Sequence, residues 1–216
     1  MDTEFAVQQM VRQQVRAWDV FDPAVLDVLR SVPRQNFVPE KYRNLAFADT
    51  EIPLANGQHM MTPTIEGRLL QSLALNADDN VLEIGTGSAF LTACLSRLVS
   101  SVSSIDIFDD FVSQARRKLK DAEIGNVTVT CMDACSTLPD GEFDAIAVTG
   151  SIPVIDDRLI SKLRPGGRLF VVVGSGTLQE ARLIVRSNDT DWESTSLFET
   201  SLDPLVNCKG PAPFSF

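Results

Sequence analysis

Hydrophobic residues near the start of the chain lie on one face of a predicted helix. Over residues 4–18 this apolar stripe consists of Val7, Met10, Val11, Val15 and Trp18. The stripe predicts an amphipathic helix. Asp22 followed by Pro23 predicts the start of a second helix, which Pro33 ends. A third, short helix is predicted from Pro39 to Phe47.

Beyond residue 63, segments with helical periodicity alternate with short apolar runs. Helical periodicity covers residues 64–75, 88–98 and 108–122. Apolar runs typical of strands cover residues 81–84, 102–106, 127–131, 143–148, 168–174, 183–186 and 192–200. This order predicts an α/β fold, with a doubly wound, mostly parallel seven-stranded sheet and an N-terminal helical extension.

No linker, repeat or low-complexity segment divides the chain. We therefore predict a single domain over residues 1–216, in which residues 1–63 hold the first helices and a loop, 64–186 the core, and 187–216 the last strands and a tail. The loop, residues 48–63, contains prolines and glycine that break regular structure. An ordered loop ahead of such a core is a natural place for ligand contacts.

A strand, a tight turn and a helix meet at the segment Glu83-Ile84-Gly85-Thr86-Gly87. Glycine allows positive φ and the close approach of a ligand, and the following helix start offers free amide donors. A dinucleotide fingerprint requires glycine where this chain has Phe90. The acid-x-Gly-x-Gly spacing instead resembles the first motif of class I S-adenosylmethionine-dependent methyltransferases. That resemblance implies that Glu83 lies near the methionyl amino group and that Gly85 and Gly87 form the cofactor turn; a glycine turn of another α/β protein is the alternative.

Two further acids follow predicted strands. Asp106 comes 21 positions after Gly85, where a carboxylate can accept hydrogen bonds from both ribose hydroxyls. Asp133 resembles the methyltransferase position whose acid meets the adenine amino group. For each of them, the alternative interpretation is an ordinary aspartate in a loop or turn. Because ligands of open parallel sheets bind beyond the carboxyl ends of the strands, we expect these acids to share one edge of the sheet.

A longer resemblance extends on both sides of the glycine turn. Several short segments carry it: residues 32–39, 46–49, 52–54, 57–58, 83–88, 143–149 and 163–174. In order and spacing they resemble protein-L-isoaspartate O-methyltransferases, over roughly residues 8 to 186. The resemblance implies methyl transfer from S-adenosylmethionine to the carboxylate of L-isoaspartyl residues in damaged proteins, and hence an isoaspartyl peptide or protein as partner.

One position departs from that family. Its loop reads Gly-Gln-Thr-Ile-Ser-Gln-Pro, with the serine placed against both cofactor and substrate carboxylate, whereas here Met61 stands at the serine position, which places Met61 beside the cofactor. The acceptor carboxylate, with a pKa of about 3 to 4, is ionised at pH 7 and needs no general base, so no residue is assigned as catalytic. Losing one donor to it costs about 1.5 to 3 kcal/mol, or roughly ten- to a hundredfold in rate.

Three neighbouring side chains offer alternatives. Thr62 supplies a hydroxyl only if the loop rearranges. His59 is a candidate general base, although a single loop histidine is more often a surface or packing residue. Asp49 resembles a family acid and either contacts substrate or makes structural hydrogen bonds.

Charge and cysteine content restrict the partners. A net charge of −10 disfavours nucleic acid and anionic membranes. The acidic N-terminus does not resemble a signal peptide, so the cytoplasm is expected. Cys94, Cys131, Cys135 and Cys208 are then expected to be buried free thiols, and because the chain has a single histidine and no second cysteine pair, no structural metal site is predicted. Oligomeric state stays open.

Three hypotheses follow. The first is an isoaspartate-repair methyltransferase. The second keeps the cofactor and uses another acceptor in an apolar pocket lined by Met60 and Met61. The third is a cofactor-binding protein without catalysis that acts through partners, with a tail over residues 205–216 that docks on another subunit or packs on its own domain.

Overall fold

The computed structural model describes residues 3–208 and residue 210. The α-helices of this part are α1 Thr3–Gln9, α2 Pro23–Ser31, α3 Pro63–Leu73, α4 Phe90–Leu98, α5 Asp109–Asp121 and α6 Asp157–Ser161. α1 continues into a π-helical segment, Met10–Val15, and a 3₁₀ turn, Arg16–Trp18; two more 3₁₀ segments are Arg34–Asn36 and Glu40–Leu45. Within the described residues, no helix has the length and apolar content needed to cross a membrane.

The strands form a small ribbon and one large sheet. Their bounds are β1 Ile52–Pro53, β2 His59–Met60, β3 Asn80–Ile84, β4 Ser101–Asp106, β5 Val127–Cys131, β6 Phe143–Ile152, β7 Leu163–Ser175, β8 Leu178–Arg186 and β9 Trp192–Thr200. β1 and β2 pair antiparallel inside the predicted loop. The other seven strands have the order β5-β4-β3-β6-β7-β8-β9. The predicted α/β class, the seven-stranded sheet and the N-terminal helical extension are confirmed.

The strand order reverses at β3. The chain runs outward from β3 through β4 to β5, and then returns to the other side of β3 with β6. All pairs from β5 to β7 are parallel, and β7 to β9 are antiparallel. Ile84 at the end of β3 therefore lies between Ile105 and Val148. In a doubly wound sheet this reversal opens a crevice at the carboxyl ends of the strands.

Alternating side chains of the sheet belong to two hydrophobic clusters. Val81 of β3 packs in a cluster that contains residues of α2, α3, α4 and α5. Leu82, the next residue, packs in a second cluster with Leu159 and Ile160 of α6. Successive strand residues point to opposite faces, so these clusters lie on the two sides of the sheet. Both faces are covered, as predicted.

The predicted N-terminal stripe is correct except at its end. Met10, Val11 and Val15 are fully buried, but Trp18 is 56% exposed. The π-helical segment holds more residues per turn than an α-helix, so a position predicted with a period of 3.6 drifts off the buried face. The sequence pattern also missed α6, because five residues are too few to show a helical period.

The last described residues return to the sheet. We call residues 202–208 the C-terminal segment. Ser151 of β6 donates from its amide to the carbonyl of Asp203 at 2.9 Å and accepts the amide of Leu205 at 2.9 Å. The described part of the tail thus packs on its own domain. The remaining tail residues named in the docking hypothesis, 211–216, lie outside the described residues.

The prediction of four buried free thiols is wrong. Cys135 and Cys208 form a disulfide, although 73 positions separate them in sequence. The return of the C-terminal segment brings their Cα atoms to 5.2 Å, which sequence spacing alone does not reveal. Of the other two cysteines, Cys94 is a buried free thiol and Cys131 is an exposed one.

We predict that the disulfide stabilises the fold. A disulfide typically contributes about 2 to 4 kcal/mol, because it lowers the entropy of the unfolded chain. Replacing both Cys135 and Cys208 by serine should lower the free energy of unfolding in urea by that amount, whereas Cys131→Ser should leave it unchanged. A wild-type unfolding curve that does not shift on addition of a thiol reductant contradicts the prediction.

Candidate active site

A cleft opens at the carboxyl edge of the parallel strands, where the strand order reverses. Its empty space measures about 750 Å³ with the open mouth included. Five of the six sequence-predicted site residues line it, namely Met61, Gly85, Gly87, Asp106 and Asp133. The expectation that the acids share one edge of the sheet therefore agrees with the structure.

The glycine turn forms the floor of the cleft. Gly85 has a φ of +98° and Gly87 a φ of +49°, a region that favours glycine. A Cβ placed on Gly85 would overlap the hydroxyl of Thr149. That hydroxyl instead donates to the carbonyl of Gly85 at 2.7 Å. Glycine is thus required here by both the backbone conformation and the approach of β6.

Asp106 is held against the turn by two backbone amides. Its carboxylate accepts the amide of Gly87 at 2.9 Å and that of Phe108 at 3.0 Å. Burial raises the pKa of Asp106, and these hydrogen bonds oppose the rise. The carboxylate is therefore fixed in orientation while it lines the cleft.

Asp133 lies after β5 and binds the C-terminal segment. Its carboxylate accepts the side-chain amide of Asn207 at 2.8 Å and the hydroxyl of Ser136 at 2.9 Å. The hydrogen bond from Asn207 is the main cause that lowers the pKa of Asp133. The adjacent Cys135–Cys208 disulfide joins the same two segments.

Glu83 differs from the other five predicted residues because it does not line the cleft. It is fully buried in β3, next to the lining residue Ile84. One carboxyl oxygen, Oε2, accepts hydroxyl hydrogen bonds from Thr92 and Ser104, each at 2.5 Å. The other, Oε1, is buried without a hydrogen-bond partner among the described residues. Burial raises the pKa of Glu83 to about 8.

The loop with Met61 forms one wall of the cleft. Met60 and Met61 both line it and are only 4% and 6% exposed. Thr62 does not line it; its hydroxyl pairs with that of Thr64 at 2.8 Å and accepts the amide of Ile65 at the start of α3. The structure therefore shows no hydroxyl from Thr62 in place of the family serine.

Asp49 also makes hydrogen bonds at the start of α3. Its carboxylate accepts the hydroxyl of Thr64 at 2.8 Å and the amide of the same residue at 3.3 Å. Asp49 is absent from the cleft lining. Of the two roles considered for it, these contacts support the structural one.

A buried ion pair behind the loop was not singled out from the sequence. Arg34 forms a salt bridge with Glu66 of α3, and both are at most 2% exposed. Nη1 of Arg34 makes the salt bridge, and Nη2 donates to the carbonyl of Met61 at 2.7 Å. Burial raises the pKa of Glu66, and the positive charge of Arg34 opposes the rise. This pair ties the Met61 backbone to α3.

Two residues at the mouth of the cleft also form a pair. Nδ1 of His59 lies 3.0 Å from a carboxylate oxygen of Asp203. Asp203 belongs to the C-terminal segment, beyond the region where sequence resemblance was recognised. Its contribution depends on the return of that segment to β6, which brings together residues far apart in the sequence.

The fold and the cleft at its switch point define a class I S-adenosylmethionine-dependent methyltransferase. The family model for protein-L-isoaspartate(D-aspartate) O-methyltransferase (PCMT) matches residues 6–210. The chain belongs to this family.

Relatives and solved structures agree with this assignment. A protein-L-isoaspartate O-methyltransferase 2 of Pelobacter propionicus is 35% identical over 96% of this chain and 93% of its own length. A relative from Methanospirillum hungatei is 36% identical over 94% of both chains. In fold, the chain resembles a protein-L-isoaspartate O-methyltransferase structure from Plasmodium falciparum in complex with S-adenosyl-L-homocysteine, with a TM-score of 0.82 and 19% identity over 95% of this chain and 98% of that one.

We predict that Glu83 makes stability fall with rising pH. Its folded-state pKa of about 8 exceeds the ordinary 4.5, so over that interval the folded protein keeps a proton that the unfolded chain releases. The free energy of unfolding should therefore decrease between pH 5 and 8, by at most about 1.4 kcal/mol per pH unit from this group. Urea unfolding of Glu83→Gln should show a shallower decrease, and Glu142→Gln, at an exposed site, should not. Parallel curves for wild type and Glu83→Gln contradict it.

Proposed function

We propose that the protein transfers a methyl group from S-adenosylmethionine to the carboxylate of L-isoaspartyl residues in damaged peptides and proteins. The observation that carries this proposal is the placement of two strand-end acids, the glycine turn and the Met61 loop around one cleft. Family membership supports the same substrate. Isoaspartyl-containing peptides or proteins are accordingly the proposed partners.

The cleft residues suit this cofactor. We infer that Asp106 binds the ribose hydroxyls and that Asp133 binds the adenine amino group. The main chain of Gly85 and Gly87 then lies close to the cofactor. We also propose that Glu83 lies near the methionyl amino group of the cofactor. Its unpaired Oε1 supports this role, because a buried carboxyl oxygen needs a hydrogen-bond donor and an amino group is one. When bound, the cofactor supplies an electrophilic methyl group.

The acceptor chemistry makes few demands on the protein. Peptide carboxylates are ionised at neutral pH, so methyl transfer depends mainly on alignment and on removing water from the attacking oxygen. Met60 and Met61 provide a largely buried apolar wall that excludes water. We propose that this wall, instead of a serine hydroxyl, borders the reacting groups.

The same wall supports a second candidate function. Methionine adapts to irregular apolar ligands, so an uncharged or less polar acceptor is the alternative substrate.

A cytoplasmic location and the lack of nucleic-acid or membrane partners stay predictions from composition. The argument for a reduced compartment is weaker than the sequence suggested, because disulfides are rare in the cytosol.

We predict base-labile methyl ester formation on an isoaspartyl peptide incubated with labelled S-adenosylmethionine. The same peptide with a normal aspartyl residue is the control and should stay unlabelled. Met61→Ser should raise the rate by no more than about a hundredfold, the effect of one donor to a carboxylate. If the wild-type protein forms no ester at high enzyme concentration, the proposal of a repair activity is wrong. Activity that appears only in Met61→Ser then favours another natural acceptor.

We also predict that Asp106→Asn weakens binding of S-adenosylhomocysteine. Loss of the charged acceptor should raise the Kd measured by calorimetry about ten- to a hundredfold. Asp109→Asn, an exposed change in the first turn of α5, should leave the Kd within about twofold. Equal affinity for wild type and a well-folded Asp106→Asn protein would show that Asp106 does not hold the ribose.

A further inference from the structure

The His59–Asp203 pair joins two segments that are 144 positions apart in sequence. Both residues line the cleft together with Met61. Their side chains are 38% and 30% exposed, so solvent and ligands reach them. The pair thus lines the cleft at a solvent-accessible position.

The charge of the cleft makes this histidine distinctive. Four acids line the cleft, namely Glu51, Asp106, Asp133 and Asp203. Among its described lining residues there is no lysine or arginine, and His59 is the one side chain that can become positive. An isoaspartyl carboxylate that enters this acidic cleft needs a donor, because an unpaired anion is costly to remove from water.

The hydrogen bond to Asp203 prepares the imidazole for such a role. It occupies Nδ1 and fixes the orientation of the ring. Nε2 has no hydrogen-bond partner among the described residues, and in the protonated ring it is a donor. Asp203 therefore positions a group whose second nitrogen is free for an anion.

The loop sequence places this donor close to the missing one. His59 is the first residue of β2, and Met61 directly follows the last one. Both line the cleft. Compared with the family loop, His59 stands where threonine is found and Met61 where serine is found, so both hydroxyls at these positions are absent and one imidazole is present instead.

We propose that His59 binds the acceptor carboxylate of the isoaspartyl substrate and that Asp203 positions it, which together replace the donor lost at Met61. This inference rests on the proposed function for the identity of the acceptor. His59 is then a substrate-binding residue specific to this chain, and Asp203 is a positioning residue.

Steady-state kinetics with an isoaspartyl peptide tests the proposal. His59→Thr should raise KM about ten- to a hundredfold, with a smaller change in kcat, because it removes a charge-assisted hydrogen bond to the substrate. His59→Lys keeps a cationic donor and should restore much of the lost affinity. Asp203→Asn keeps an acceptor for Nδ1 and should raise KM only a few-fold. The Kd for S-adenosylhomocysteine should stay within about twofold in all three variants if their fold is intact.

A double variant separates this role from a structural one. In the His59→Thr background, Met61→Ser restores the family residues and should lower KM again, by a larger factor than Met61→Ser lowers it in the wild-type background. Such non-additivity is expected when two groups serve the same carboxylate. Additive effects of the two changes, or an unchanged KM in His59→Thr, overturn the proposal.

Binding measurements distinguish this proposal from the proposed function. The Kd of the isoaspartyl peptide is measured by calorimetry with S-adenosylhomocysteine present. If wild type binds the peptide more tightly than His59→Thr but forms no ester, the carboxylate site stands and the methylation activity fails. Ester formation with equal peptide affinity in both proteins overturns the role of His59 alone. A wild type that neither binds nor methylates the peptide overturns both.

Discussion

The cleft depends on how the backbone after β3 is held between the two strands beside it. The amide of Gly85 donates to the carbonyl of Ile105 at 2.8 Å on the β4 side. On the β6 side, the hydroxyl of Thr149 donates to the carbonyl of Gly85. A side chain at Gly85 would force these strands apart. This close approach is what brings Asp106 and Thr149 to one small cleft.

Behind the cleft, buried polar groups constrain its walls. Arg34 contacts Glu66 and the Met61 carbonyl, and its guanidinium lies 4.7 Å from the centre of the Phe90 ring. Buried charges are tolerated only when paired, so removing one partner destabilises the site more than the pair stabilises it. The Met61 loop is therefore fixed to α3 and α4 through Arg34. The apolar wall that this loop gives the cleft is thus fixed in position, although it lacks the hydroxyl of the family serine.

The C-terminal segment completes the other side of the cleft. It contributes Asp203 to the mouth and Asn207 to the carboxylate of Asp133. The disulfide and the contacts with Ser151 hold it in place. The proposed nucleoside-binding acids and the proposed acceptor-binding pair are thus linked by one short stretch of chain.

Sequence alone determined the fold class, the seven strands and most helices, because the hydrophobic periods of helix and strand are local properties. It also indicated that Gly85, Gly87, Asp106 and Asp133 lie at one edge of the sheet, since a turn and strand ends fix where such residues lie in a parallel sheet. It did not reveal the pairs His59–Asp203, Arg34–Glu66 and Cys135–Cys208. Their members are between 32 and 144 positions apart, and only tertiary packing brings them together. The burial of Glu83 and the exposure of Trp18 were likewise decided by neighbours in space, because a side chain's accessibility depends on which elements cover it.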